Sequence, residues 1–196
     1  PGATSGGASA MTEAIKSIKI VSKDKTFRRF VITRTLLLST ALSVPFYVVL
    51  GNESTGQGLG NLGVLMVAIG IGTSLSAPVW GRLADKSSRL VMVGAAGITA
   101  LVGLVLFAMV FFESPLMRSE WSFAVFLLVI GMGHGGARLG RKTYLVDMAT
   151  AETRSAYVAV SNTIIGIMLL AGGSVGWVAS SYGTEYAILV LALVGI

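Results

Sequence analysis

The sequence predicts an all-α membrane protein, a polytopic bundle of six transmembrane helices whose last member is incomplete. Five apolar runs of about 20 residues follow one another and a sixth begins, which matches the length needed to cross hydrocarbon as a helix. Hydrophobic residues make up 54% of the 196 and charged ones only 12%, and the mean hydropathy is +0.80, far from an ordinary soluble domain. The connectors between the runs leave no room for a second folded domain, so function must sit in or between the helices.

Backbone polar groups find no partner in hydrocarbon, and each run must therefore close its own hydrogen bonds as a helix. The first lies near Val31 to Gly51 and carries Thr40, Ser43, Tyr47 and a helix-kinking Pro45. The second extends from Asn61 to Gly81 and the third from Arg89 to Phe112. The fourth runs from Trp121 to Gly140, with a cytoplasmic extension to residue 148, and the fifth from Ser155 to Ser180. The last opens at Thr184 and has 13 residues to Ile196, too few to cross. Residues 1–29 form a cytoplasmic linker ahead of a transmembrane domain over 30–196. Within that linker Met11, Ile15, Ile18 and Val21 recur at helical spacing opposite Lys16, Lys19 and Lys23, the pattern of a basic amphipathic helix on a membrane surface. The start at Pro1 and the end inside an apolar run predict a fragment of a longer protein.

Fourteen of the 15 Lys and Arg lie on one side, ahead of the first run or at its start, as Arg34 does, and in or beside alternate connectors, while Arg118 alone lies on the other. Cytoplasmic flanks retain positive charge, which predicts a cytoplasmic N-terminus. Tyr47, Phe111, Phe112, Trp121, Tyr182 and Tyr186 gather at the opposite, outer ends, as interfacial aromatics do. The net charge of +6 thus follows from topology and an anionic inner leaflet, with no need for nucleic acid.

The charged turn between the second and third runs is Gly81-Arg82-Leu83-Ala84-Asp85-Lys86-Ser87-Ser88-Arg89. In it Gly81 permits close packing, and Asp85 can accept charge-assisted hydrogen bonds from Lys86 and Arg89. The pattern Gly81-x-Leu83-Ala84-Asp85-Lys86-x-x-Arg89 resembles the motif that major facilitator superfamily transporters carry between the second and third helix of each six-helix half. Ser88 and Leu90 depart from it, standing where that family usually has Gly and a basic residue. A second stretch also resembles that family: Gly131-Met132-Gly133-His134-Gly135-Gly136, then Asp147, Ala151-Glu152-Thr153-Arg154, Asn162, Gly166 and Gly172-Gly173.

The resemblance implies the second half of a twelve-helix transporter, missing its N-terminal six-helix half. It further implies secondary active transport of a small solute by alternating access, ion- or proton-coupled, in a plasma or bacterial inner membrane. The turn, with Gly81, Asp85, Lys86 and Arg89, would be a cytoplasmic latch. On the fourth helix His134, Arg138 and Arg141 share one face, and His134 lies about 20 Å from Trp121 along the axis. An ionisable group at that depth faces a cavity or a partner, so His134 and Arg138 are candidates for proton coupling and anion binding. Tyr47 and Asn162 are uncharged candidates on helices that the resemblance makes cavity-lining.

Other chemistry is poorly supported. Gly131-x-Gly133-x-x-Gly136 spells a dinucleotide fingerprint without the strand that must precede it. Gly172-Gly173-Ser174-Val175-Gly176 spells a nucleophile elbow that His134 would have to serve, the basis of a rival reading as an intramembrane serine hydrolase. A six-helix scaffold or signalling subunit is the other alternative. One histidine and no cysteine provide no metal cluster, and no phosphate-cradling loop or cofactor motif is present. Asn52-Glu53-Ser54 is a sequon expected on the outer side.

Overall fold

The computed structural model describes residues 24–56 and 62–195; the amphipathic segment expected at 11–23 lies outside them. The described residues form an all-helical bundle: α1 (Lys25–Leu36), α2 (Ser39–Thr55), α3 (Leu62–Lys86), α4 (Ser88–Phe111), α5 (Glu120–Met148), α6 (Arg154–Tyr182) and α7 (Thr184–Val194). A 3₁₀ turn at Pro115–Arg118 precedes α5. Five stretches are long and apolar enough to cross a membrane, the first being α1 and α2 taken together over Lys25–Thr55.

The first run is thus one span with an interruption. At Leu37 and Leu38 the hydrogen bonding tightens: Leu38 N donates to Thr35 O at 3.0 Å and Ala41 N to Leu38 O at 3.0 Å, three residues back rather than four. The Leu37 carbonyl accepts from the Thr40 N–H at 3.3 Å and from the Thr40 hydroxyl at 2.8 Å. Pro45, expected to kink this helix, lies inside a continuous α2. Residues 52–55, expected in a connector, continue α2, which places the sequon in its last turn.

The charged turn is mostly helix. α3 runs on to Lys86, and the single residue between α3 and α4 is Ser87, whose extended backbone and Oγ cap the Leu90 N–H. Lys86 ends α3 where its charge complements the helix dipole.

α5 is the hub, packed most closely on α3 and then on α4. α7 fills the space between α2 and α4, and α6 leans on α7 and α1. Among the described residues a core of Tyr47, Leu50, Leu65, Leu106, Phe123, Leu127, Ile130 and Ile188 occupies one half of the bundle. A second cluster joins Leu37, Trp80, Val91, Met92, Ala95 and Ala137, and a third joins Phe27, Phe30, Val31, Leu145 and Val160.

Small residues make the hub possible, because hydrophobicity gives little drive for helix association in lipid and backbones must approach closely. A Cβ at Gly72 would fall on the Leu128 backbone, one at Gly131 on the Ile69 backbone, and one at Gly136 on the Trp80 ring. The glycines that spelled a dinucleotide fingerprint are therefore the seam of α5 with α3 and α4. At the far end Gly183 turns α6 into α7 with φ +116, and a Cβ there would meet the Glu185 carboxylate. Thr184 Oγ1 donates to Glu53 Oε2 at 3.1 Å, tying α7 to α2.

α1 is fastened at its start. Asp24 Oδ1 accepts from the N–H groups of Thr26 and Phe27 at 2.8 and 3.0 Å, and Oδ2 accepts from the Tyr157 hydroxyl at 2.5 Å. The Tyr157 hydrogen bond, then that of Phe27, holds the Asp24 carboxyl below its ordinary 3.8. A carboxyl depressed on folding stabilises the fold above its unfolded value and loses that contribution as pH falls through the folded value. Asp24→Ala should therefore lower the unfolding temperature at pH 7, and the difference from the parent protein should close as the buffer is taken well below pH 4; a difference independent of pH would contradict this.

Candidate functional site

Alternation of the helices gathers the start of α1, the end of α3, the starts of α4 and α6 and the end of α5 at one end of the bundle. That end carries Lys25, Arg28, Arg29, Arg82, Lys86, Arg89, Lys142 and Arg154, while Arg118 lies in the turn before α5. A cleft of about 420 Å³ opens at the basic end, lined by Asp85, Lys86, Ser88, Arg89, Tyr144 and Asp147 among others. The four residues of the charged turn are thus not alone. Ser88 Oγ donates to Asp147 Oδ2 at 2.9 Å, and Arg89 Nη2 donates to Tyr144 Oη at 3.2 Å with its guanidinium 5.4 Å over that ring. These bonds tie the start of α4 to the end of α5. Asp85 and Lys86 are exposed, and a Cβ at Gly81 would meet nothing within 4 Å, so among the described residues its small size serves no contact.

Deeper in, a second polar group assembles from α1, α5 and α6. Arg34 reaches out of α1 so that Nη1 donates to Ser161 Oγ at 2.5 Å and Nη2 to Asn162 Oδ1 at 2.7 Å. Arg34 is nine residues into α1 and Asn162 eight into α6, about 12–14 Å from the basic end at 1.5 Å per residue. Arg141, half-buried on α5, lies in the field of Arg34 and Arg138. His134 lies one to two turns further in, in the field of Arg141 and Arg138, and its Nδ1 is buried without a hydrogen-bond partner.

His134, Arg138 and Asn162 are therefore parts of one region. Tyr47 is elsewhere. It is 1% exposed among Leu106, Leu127, Ile130 and Ile188, so the ring fills the apolar core between α2, α4 and α7 rather than facing a cavity. The Ser43 and Thr163 hydroxyls donate to carbonyls of their own helices, and that of Thr40 to Leu37 in the break before α2. Arg34 and Ser161 belong to the region although neither was a site candidate. Counting charge along the chain groups Arg34 with the basic N-terminal flank, yet it is flanked by Phe30, Val31 and Leu36 to Leu38, and a guanidinium inside such a run is the signal that marks it.

The family model described as Major Facilitator Superfamily matches residues 28–196. The chain belongs to the major facilitator superfamily. It is 26% identical over 113 residues to the magnetosome protein MamZ of Magnetospirillum gryphiswaldense, a match covering 56% of this chain and 17% of that relative. The chain thus spans well under two thirds of the relative it matches. No solved structure matches it.

Membership makes this major facilitator chain a multi-pass membrane protein of a transporter family whose members are generally not enzymes. The elbow-like sequence agrees with that assignment, because Ser174 sits inside α6 with its hydroxyl donating to Ala171 O at 2.7 Å. A nucleophile elbow needs a strand-to-helix turn.

Proposed function

We propose that this chain is the C-terminal half of a secondary active transporter that moves a small solute by alternating access, coupled to protons or another ion. The observation that carries the reading is the polar region of Arg34, His134, Arg138, Arg141, Ser161 and Asn162, placed at membrane depth in a major facilitator chain. Ionisable groups are costly there unless they face water or a partner, which fits a solute path between this half and a preceding six-helix half. His134 is an imidazole able to accept and release a proton, and its buried, unpartnered Nδ1 leaves a position free for one.

The charge bias favours a cytoplasmic basic end in a plasma or bacterial inner membrane. Gly81, Asp85, Lys86 and Arg89 then form a cytoplasmic latch: the carboxylate meets a helix end of the other half in one state and releases it in the next. The full-length protein reconstituted in liposomes should take up one member of a panel of organic anions, sugars and organic cations, with uptake collapsing on addition of a protonophore or removal of the coupling ion. Arg138→Gln should reduce that uptake about tenfold or more; unchanged uptake would remove Arg138 from the path. Asp85→Asn should slow the maximal rate while leaving the half-saturating concentration unchanged, and a pure loss of affinity would count against the latch.

A further inference from the structure

We propose that Arg34, Arg138 and Arg141, with Asn162 beside them, bind an oxyanion of the solute, a carboxylate or phosphate group. The proposal rests on the transport reading for its biological setting, and on the following geometry for its chemistry.

Arg34 of α1 and Arg138 of α5 both lie in the field of Arg141, where α1 packs on α5 through Phe30 and Tyr144 with ring centroids 5.5 Å apart, and among the described residues no acidic side chain is bonded to the three guanidiniums. Arg34 donates only to the neutral oxygens of Ser161 and Asn162, and Arg141 Nε donates to the Ala137 carbonyl at 3.0 Å. Arg34 Nε is buried and has no hydrogen-bond partner. Arg34 and Arg141 are half-buried, like charge removed from water is stabilised by a compensating anion, and a planar oxyanion fits the guanidinium fork.

Ser161 and Asn162 provide the orientation. Ser161 is 1% exposed and donates its own proton to the Val158 carbonyl at 3.1 Å, so its oxygen is fixed as an acceptor for Arg34. Asn162 also accepts from Arg34, which leaves its amide N–H groups as donors to a ligand. Arg138 and Asn162 are exposed, so the ligand has a way in. An anionic lipid headgroup has the same chemistry as a soluble oxyanion and is the competing occupant.

The test uses the detergent-solubilised full-length protein, unfolded by heat in sodium phosphate, acetate or succinate against sodium chloride of equal ionic strength. At least one of the three should protect the parent protein. Arg34→Gln should raise the half-saturating concentration about tenfold or more, and Arg34→Lys by less, because it keeps the charge but loses the fork. Should Arg34→Gln fail to fold, Arg141→Gln and Asn162→Ala should each weaken protection. Absence of protection in the parent protein, or equal protection in all variants, overturns the proposal.

Vesicles of phosphatidylcholine with or without phosphatidylglycerol separate the two sources. Stabilisation by phosphatidylglycerol that needs Arg34 and that soluble anions do not displace assigns the site to lipid and overturns the proposal. Uptake of a neutral or cationic solute with the same affinity in Arg34→Gln overturns it while transport stands. Anion protection without uptake of any solute overturns transport while the site stands.

Discussion

Trp80→Ala should destabilise the protein by about 3–5 kcal/mol, the largest single-residue effect expected in the bundle. Trp80 is 6% exposed, in the last turns of α3, and its ring fills the space left by Gly136 of α5 and lies against Gly94 of α4. Its Nε1 donates to the Met132 carbonyl at 2.8 Å. Truncation would leave a cavity where three helices meet and remove the bond to a helical carbonyl two residues from His134. Trp80→Phe keeps most of the packing and should cost about 0.5–1.5 kcal/mol for the lost hydrogen bond. Thermal unfolding of the detergent-solubilised protein measures both, and an Ala variant as stable as the parent would show that the three helices do not depend on this ring.

Gly131→Leu should be nearly as damaging, by the opposite mechanism. Its Cβ would enter the Ile69 backbone, which cannot turn aside as a side chain would, so α3 and α5 must separate. Separation would also break the hydrogen bond from Thr73 Oγ1 to the Gly131 carbonyl at 3.0 Å. Overpacking of this kind costs about 1–3 kcal/mol, and more where backbone must move. Gly176→Ala is the control: a Cβ there meets open space, and the change should stay within about 0.5 kcal/mol. The folded fraction by size-exclusion chromatography should fall sharply for the first and hardly at all for the second; equal yields would dissolve the seam as an explanation.

The fold was legible because lipid imposes its constraint one residue at a time: apolar runs of the right length must be helices. The same constraint hides where helices end in water. Charge marked Gly81 to Arg89 as a turn, yet Arg82 to Lys86 continue α3, since leaving the membrane does not oblige a helix to stop. The break at Leu37 and Leu38 has no proline or glycine to announce it. His134 and Arg138 stand out by depth alone, whereas Arg34 counts with the basic N-terminal flank, because counting charges along a line ignores the α1 turns that precede it. Tyr47 misled for a related reason. A phenol on an expected cavity helix says nothing about which face of that helix the neighbours cover, and α7 and α4 cover this one.

The interruption at Leu37 and Leu38 bears on motion as well as on shape. Both residues keep right-handed helical torsions, with φ −64 and −62, so the chain there is unstrained. The main-chain ladder changes here from four-residue to three-residue steps and back, and the Thr40 hydroxyl holds the Leu37 carbonyl from the side. Changing the angle between α1 and α2 therefore needs small adjustments of two residues and the rupture of few main-chain bonds. The joint has the properties of a hinge, and α1 is the arm it carries, with Arg34 most of the way towards its inner end. Tyr157 and Asp24 moor the basic end of that arm to α6. Arg34 with Ser161 and Asn162, and Phe27, Phe30 and Val31 with Val160, add further ties, so a bend at the joint would carry α1 and α6 together.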